Sequence, residues 1–206
     1  GAIWVDMEAC GVDVLISAPQ KGWSSSPGAA LVMFSARARA ALDATASTSF
    51  AIDLKKWLDI MVAYEKGGHA YHGTMPTDSL VRLRDAMKDT ERFGFERARA
   101  AQQELGTRVR ALMKSHGFPS VAAEGYEAPG VVVSYTSDKD VQSGAKFIAQ
   151  GVQAAAGVPL QCDEPADFRT FRVGLFGLDK LADVDRAVGN LERALDEIAS
   201  PALAGK

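Results

Sequence analysis

The sequence predicts an α/β chain that ends in a small α+β domain, and three observations carry that reading. Two short apolar runs rich in β-branched residues, 12–17 and 29–34, flank a loop rich in Gly, Pro and Ser, the pattern of buried strands in a sheet covered on both faces. A long stretch of helical periodicity follows, over residues 77–116. Beyond it short strands and helices alternate, which points to a small sheet with helices packed on it.

Between the opening strands, residues 18–28 read APQKGWSSSPG, too rich in breakers for helix or strand. This leaves a lone lysine, Lys21, in a loop just after a strand, where binding sites of α/β sheets collect. Residues 35–46, dominated by Ala and Arg, have high helix propensity. Residues 53–64 are predicted as a second helix with Leu54, Leu58 and Met61 on one face, ended by Gly67 and Gly68. Thr77 or Asp78 caps the next helix. Its stripe of Leu80, Leu83 and Met87 continues through Phe93, Ala98, Leu105, Val109 and Leu112, with a bend expected near Gly94 or Gly106. A strand is predicted at 130–135, a helix at 138–156, and short strands at 158–162 and 170–175. Leu181, Val184, Val188, Leu191, Leu195 and Ile198 form the stripe of a closing helix.

The chain has 206 residues, 47% hydrophobic and 24% charged, with net charge −3, the balance of an ordinary globular protein. The acidic total argues against a nucleic-acid binder. Arg37, Arg39, Arg97 and Arg99 are interleaved with alanine in the manner of solvated helix faces. No apolar run is long enough to span a bilayer, and no signal peptide is predicted in the opening residues. Cys10 and Cys162 form no CxxC pair and the three histidines no HExxH, so no metal site is predicted. The thiols are expected to be free and buried, in a cytoplasmic protein. The opening Gly1-Ala2-Ile3-Trp4-Val5-Asp6 reads as the middle of a domain.

Three segments sharpen the reading. Ser17-Ala18-Pro19-Gln20-Lys21-Gly22-Trp23, followed by Ser26-Pro27-Gly28, resembles the cofactor-lysine segment of class V aminotransferases. Tyr71-His72-Gly73-Thr74-Met75-Pro76 is similar to that family's Tyr-His-x-Thr-x-Pro segment, and Thr170-Phe171-Arg172-Val173-Gly174 to its Arg-Ile-Gly motif. The three stand in the family's order along essentially the whole chain. The resemblance is to the alanine/serine–glyoxylate kind, in its carboxyl-terminal portion. It implies a fold type I pyridoxal-phosphate transferase: residues 1–78 as the C-terminal part of the large mixed-sheet, cofactor-binding domain, 79–116 as a long connecting helix region, and 117–206 as a small α+β domain.

The resemblance also implies roles. Lys21 is the catalytic residue that holds pyridoxal 5′-phosphate, and the chemistry needs its amine unprotonated, because only then is it a nucleophile or a base. Gln20 binds the phosphate or holds the loop around it. Tyr71 and Thr74 reach the phosphate of the partner's cofactor, so a homodimer is implied. His72 is read as a packing or hydrogen-bonding residue. Arg172 grips the substrate carboxylate, its two parallel donors matching the two oxygens. Its place in an apolar strand supports that, since a charge there costs free energy unless paired. The implied reaction is transamination between a small amino acid, alanine or serine, and a 2-oxo acid such as glyoxylate or pyruvate. Two departures stand out. Pro19 removes a backbone donor where relatives have Ser or Gly-Ser. The family's aspartate at the pyridine nitrogen, its ring-stacking aromatic and its glycine-rich phosphate loop fall before Gly1, so a preceding segment or a companion chain is implied as a further partner. The alternatives are a lyase of the same superfamily, cysteine desulfurase-like, in which Cys162 would serve, and a non-catalytic assembly subunit with the same fold. The desulfurase reading is disfavoured by Gln20, where those enzymes carry histidine.

Overall fold

A computed structural model describes residues 2–199. The chain divides into two compact units: one of residues 3–20 and 25–85, the other of Ala2, residues 21–24 and 86 onward. No helix among the described residues is long and apolar enough to cross a membrane.

In the first unit β1 (Val14–Ser17) pairs antiparallel with β2 (Leu31–Phe34), in the register Val14 opposite Phe34 and Ser17 opposite Leu31. Both runs were expected to be buried on two faces. Instead Val14 is 44% and Ile16 71% exposed. Alternation sends them to one side of the strand, and that side is open in this chain. The helix α1 (Ala36–Asp43) starts where Ser35 accepts from the Ala38 amide at 3.1 Å. The Ser35 hydroxyl donates to Asp13 at 2.6 Å, and the Arg37 guanidinium pairs with the same carboxylate. These contacts, Arg37 first, hold Asp13 below the usual carboxylate range.

Asp53 caps α2 (Leu54–Glu65), accepting from the Lys56 amide at 3.0 Å. Met61, expected on its covered face, is 56% exposed, and Ile60 is buried in its place. The covered stripe runs through Trp57 and Ile60 because Trp57 is held: its ring packs on His72 and its Nε1 donates to the Ala51 carbonyl at 2.8 Å. Gly28 lies so close to α3 (Thr77–Phe93) that an added Cβ would stand 2.2 Å from the Ser79 Cβ. The Pro-Gly pair that closes the lysine loop is therefore a packing requirement.

The helical signal of residues 77–116 breaks at Gly94, whose φ of 98° suits glycine alone. The second half is α4 (Phe95–Ser115), with Leu105, Val109, Leu112 and Met113 buried along one face. Gly106 continues this helix: an added Cβ there would meet the Pro129 carbonyl oxygen at 2.7 Å. The unit's sheet has the order β3-β5-β4, from β3 (Val131–Tyr135), β4 (Ala155–Ala156) and β5 (Thr170–Gly174), all antiparallel. Its core joins Phe147, Phe171 and Leu195, each at most 1% exposed, to the stripe of α4. The buried Gln102 amide ties α4 to the strand ends, donating to Pro129 O at 2.9 Å and Leu175 O at 3.3 Å.

The helix predicted for residues 138–156 does not form as one piece. It resolves into α5 (Lys139–Gln142) and α6 (Ala145–Ala149), because Gly144 and Gly151 adopt left-handed conformations at φ 83° and 72°. Ala155 and Ala156, strong helix formers, are recruited into β4 by pairing with Arg172 and Phe171, so tertiary pairing overrides propensity. No strand forms at residues 158–162. Pro159 lacks a ladder donor, and Gln161 and Asp163 take positive φ in a tight turn. The closing helix is α7 (Leu178–Leu181) followed by α8 (Val184–Ala199), with Val188, Leu191 and Leu195 buried as its periodicity predicts and Ala194 buried beside them.

Candidate functional site

Lys21 stands in a turn just beyond β1. Pro19 at the start of that turn is fully buried and accepts from the Ser25 amide at 3.0 Å. The Lys21 carbonyl accepts from Ser24 at 2.8 Å, and Ser24 takes a left-handed φ of 49°. The backbone is thus pinned while the Lys21 side chain is exposed. Within the second unit its Nζ lies 6.0 Å from the centre of the Phe176 ring. Phe176 follows directly on β5, and Gly130 and Gly174 make room for its ring: an added Cβ on Gly130 would come within 2.8 Å of it. At Gly177 an added Cβ would stand 3.1 Å from the Ser24 hydroxyl. The end of β5 therefore backs the lysine turn.

Arg172, on β5, belongs to the same unit as Lys21. Thr170, Phe171 and Val173 are buried, whereas Arg172 and Gly174 are exposed. Strand alternation places the guanidinium on the open face, where its Nε donates to the Ala156 carbonyl of β4 at 3.1 Å. The expectation that Arg172 bears a burial cost is thereby corrected; its charge remains hydrated and reachable.

Gln20, Tyr71 and Thr74 belong to the first unit. Gln20 is exposed at the tip of the turn. Tyr71 is 69% exposed, and its hydroxyl lies 3.3 Å from that of Thr74, so the structure brings these two together as a surface pair. His72 between them is structural: its ring lies 4.1 Å from the Phe50 ring, and Nε2 donates to the Phe50 carbonyl at 2.8 Å.

Two residues escaped the sequence reading. Phe176 lies two positions past the Arg-Val-Gly motif, and nothing local distinguishes it from a core aromatic. The other is Ser25, whose Oγ is buried without a hydrogen-bond partner among the described residues. A buried unpaired hydroxyl costs about 1–3 kcal/mol, and three consecutive serines carry no signal of which hydroxyl is enclosed. The exposed Lys21 amine of the second unit is a nucleophile suited to an aldehyde, and in the first unit the unpaired Ser25 hydroxyl and the exposed Tyr71–Thr74 pair are each donors suited to a phosphate oxygen.

Cys162 and Cys10 are free thiols, and both are exposed, which corrects the expectation of burial. Cys162 sits in a turn held by Glu164, whose carboxylate accepts from the Gln161 amide at 3.0 Å and the Cys162 amide at 2.8 Å. Those N–H groups pull the Glu164 carboxyl down to about 2 from its ordinary 4.5. The turn is thus stabilised above its ordinary value, and that support is lost as pH falls through about 2. In an NMR titration, the Gln161 and Cys162 amide shifts are expected to move together with a midpoint near 2. A midpoint near 4.5 would show that the turn does not form in solution.

Residues 1–185 match the family model described as Aminotransferase class-V. The soluble hydrogenase small subunit of Synechococcus sp. (strain PCC 6716) is 26% identical over 200 residues, covering 96% of this chain and 50% of that protein. The 2-aminoethylphosphonate–pyruvate transaminase of Paraburkholderia phymatum is 30% identical over 201 residues, covering 95% and 51%. The chain spans about half the length of the curated relatives it matches. Alanine–glyoxylate aminotransferase from Nostoc sp. superposes with a TM-score of 0.70 at 22% identity, over 94% of this chain and 50% of that one. This likeness shows the fold that the resemblance implied.

Proposed function

Because the chain belongs to the class-V aminotransferase family, we propose that it serves transamination between a small amino donor and a 2-oxo acid such as glyoxylate or pyruvate. Its cofactor is pyridoxal 5′-phosphate, held covalently by Lys21. The observation that carries this reading is the pinned turn after β1, which presents the Lys21 amine beside Phe176 and leaves Ser25 Oγ buried and unpaired. When bound, the cofactor supplies an electrophilic carbonyl carbon and an electron sink for charge developing at the donor's α-carbon.

The chain's own residues divide the remaining work. Lys21 Nζ would hold the cofactor and, when free, would act as the base that takes the proton from the donor's α-carbon and then as the acid that delivers it to the cofactor's reactive carbon. Gln20 and Ser25 would supply donors to the phosphate oxygens, Gln20 from the exposed tip of the turn and Ser25 through its unpaired hydroxyl. Tyr71 and Thr74 offer an exposed hydroxyl pair to the phosphate bound by a second copy of the chain, which makes a homodimer the working form. The Arg172 fork binds the donor's acidic group. It matches a carboxylate and a phosphonate equally well, so alanine, serine and 2-aminoethylphosphonate all fall within the proposed donor class. Two free exposed thiols suit a reducing compartment, the cytoplasm.

The test is an absorbance titration. With added pyridoxal 5′-phosphate the purified protein is expected to develop the band of lysine-bound cofactor at roughly 410–430 nm, and a donor of the proposed class should bleach it. Arg172→Ala is expected to keep the band while raising the half-bleaching donor concentration roughly ten- to hundred-fold, the loss of one charge-assisted pair. A protein that stays colourless, or an Arg172 variant that bleaches as readily as the native chain, overturns the assignment.

A further inference from the structure

His116 sits at the end of α4, where its two ring nitrogens face two oxygens. Nδ1 lies 2.9 Å from the Leu112 carbonyl, and Nε2 lies 2.9 Å from the Asp196 carboxylate on α8. A carbonyl and an ionised carboxylate can only accept, so both contacts are hydrogen bonds only when both ring nitrogens carry protons. In the neutral ring one nitrogen turns a lone pair toward an oxygen at that distance. The Ser115 hydroxyl, 3.4 Å from Nδ1, does not relieve this, because it donates to the Leu112 carbonyl at 2.8 Å. The ring is mostly enclosed, its side chain 15% exposed, and so cannot simply turn into water. The charged groups acting on it from the packed helix are Asp196 and Glu192 of α8. On its own side it meets the carbonyl end of α4, itself favourable to a cation.

We propose that His116 is a proton-operated latch: charged, it clips the last turn of α8 to the end of α4; neutral, it releases that turn. The rest of α8 is held by the burial of Val188, Leu191, Ala194 and Leu195, and Ile198 packs partly buried against the same core, so the latch adjusts the fraying of residues 196–199 and not the fold. Asp196, with Arg193 and Glu197, also lines a cavity of about 920 Å³ floored by Leu105, Val109, Val173 and Leu175. The state of His116 therefore sets how firmly one wall of that cavity is held. The Asp196 carboxylate, then the Leu112 carbonyl, hold the imidazole above its ordinary 6.5, against the opposing effect of burial. The clip is fully present below 6.5 and is lost as pH rises through the raised folded value.

The experiment is a ring-proton NMR titration of His116 in the whole chain, paired with amide exchange along α8 corrected for intrinsic base catalysis. The expected midpoint lies above 6.5, and Asp196→Asn lowers it. Corrected exchange at residues 196–199 is expected to quicken several-fold through that midpoint in the native chain and to stay flat in D196N. Asp196 is 64% exposed at its side chain, so this variant keeps the fold. A midpoint at or below 6.5, an unmoved midpoint in D196N, or native exchange that does not change with pH each overturns the latch.

Discussion

Lys21→Ala is expected to lower transamination by on the order of 10⁴-fold or more, because it removes both the nucleophile and the base of the proposed reaction. The same change should leave stability almost untouched. Lys21 is exposed, and its contact with the Phe176 ring at 6.0 Å is worth about 0.5 kcal/mol at such a site. The pinned turn depends on backbone bonds at Pro19, Lys21, Ser24 and Ser25 that alanine retains. Lys21→Arg should be as inactive as the alanine variant, since a guanidinium stays protonated and cannot attack a carbonyl carbon. Turnover within tenfold of native in either variant would remove Lys21 from the mechanism. A large fall in melting temperature alongside lost activity would show instead that the residue is structural.

The opposite signature is expected one strand away. Phe171→Ala should destabilise the chain by about 3–5 kcal/mol, the usual cost of deleting a buried aromatic ring. Phe171 is 1% exposed at the centre of the three-stranded sheet. Its ring lies 5.2 Å from both Phe118 and Phe147, within the buried cluster that forms the unit's core. A loss of that size is a large share of a domain's whole stability, about 5–15 kcal/mol. The neighbouring Arg172→Ala, on the other face of the same strand, should change stability by no more than about 0.5 kcal/mol. Urea unfolding of the two variants checks the pair. If Phe171→Ala loses less than about 1 kcal/mol, the alternation described for β5 is wrong, and with it the accessibility of Arg172.

What could be read along the chain was whatever consecutive residues settle between themselves. The breakers around Lys21, the stripes of α4 and α8, the bend at Gly94 and the packing role of His72 were all legible, because periodicity and backbone conformational freedom act over a few residues. The same local reasoning misjudged residues 138–156. Alanine favours a helix until a distant strand offers it hydrogen bonds, and β4 exists only because β5 lies beside it. It misjudged both cysteines and the burial of Arg172 for a related reason: an apolar neighbourhood in sequence does not say which face of a strand or turn meets solvent.

The order of the three motifs was legible in the sequence by itself, and the family it implied is the one whose model matches residues 1–185. Only the tertiary structure decided that Phe176 backs the lysine, that the Ser25 hydroxyl is enclosed without a partner, and that His116 bridges two helices through Asp196. Each of these is a contact between groups far apart along the chain, or a burial created by such contacts. Their free energies depend on distance and solvent exclusion, which no run of neighbouring residues specifies.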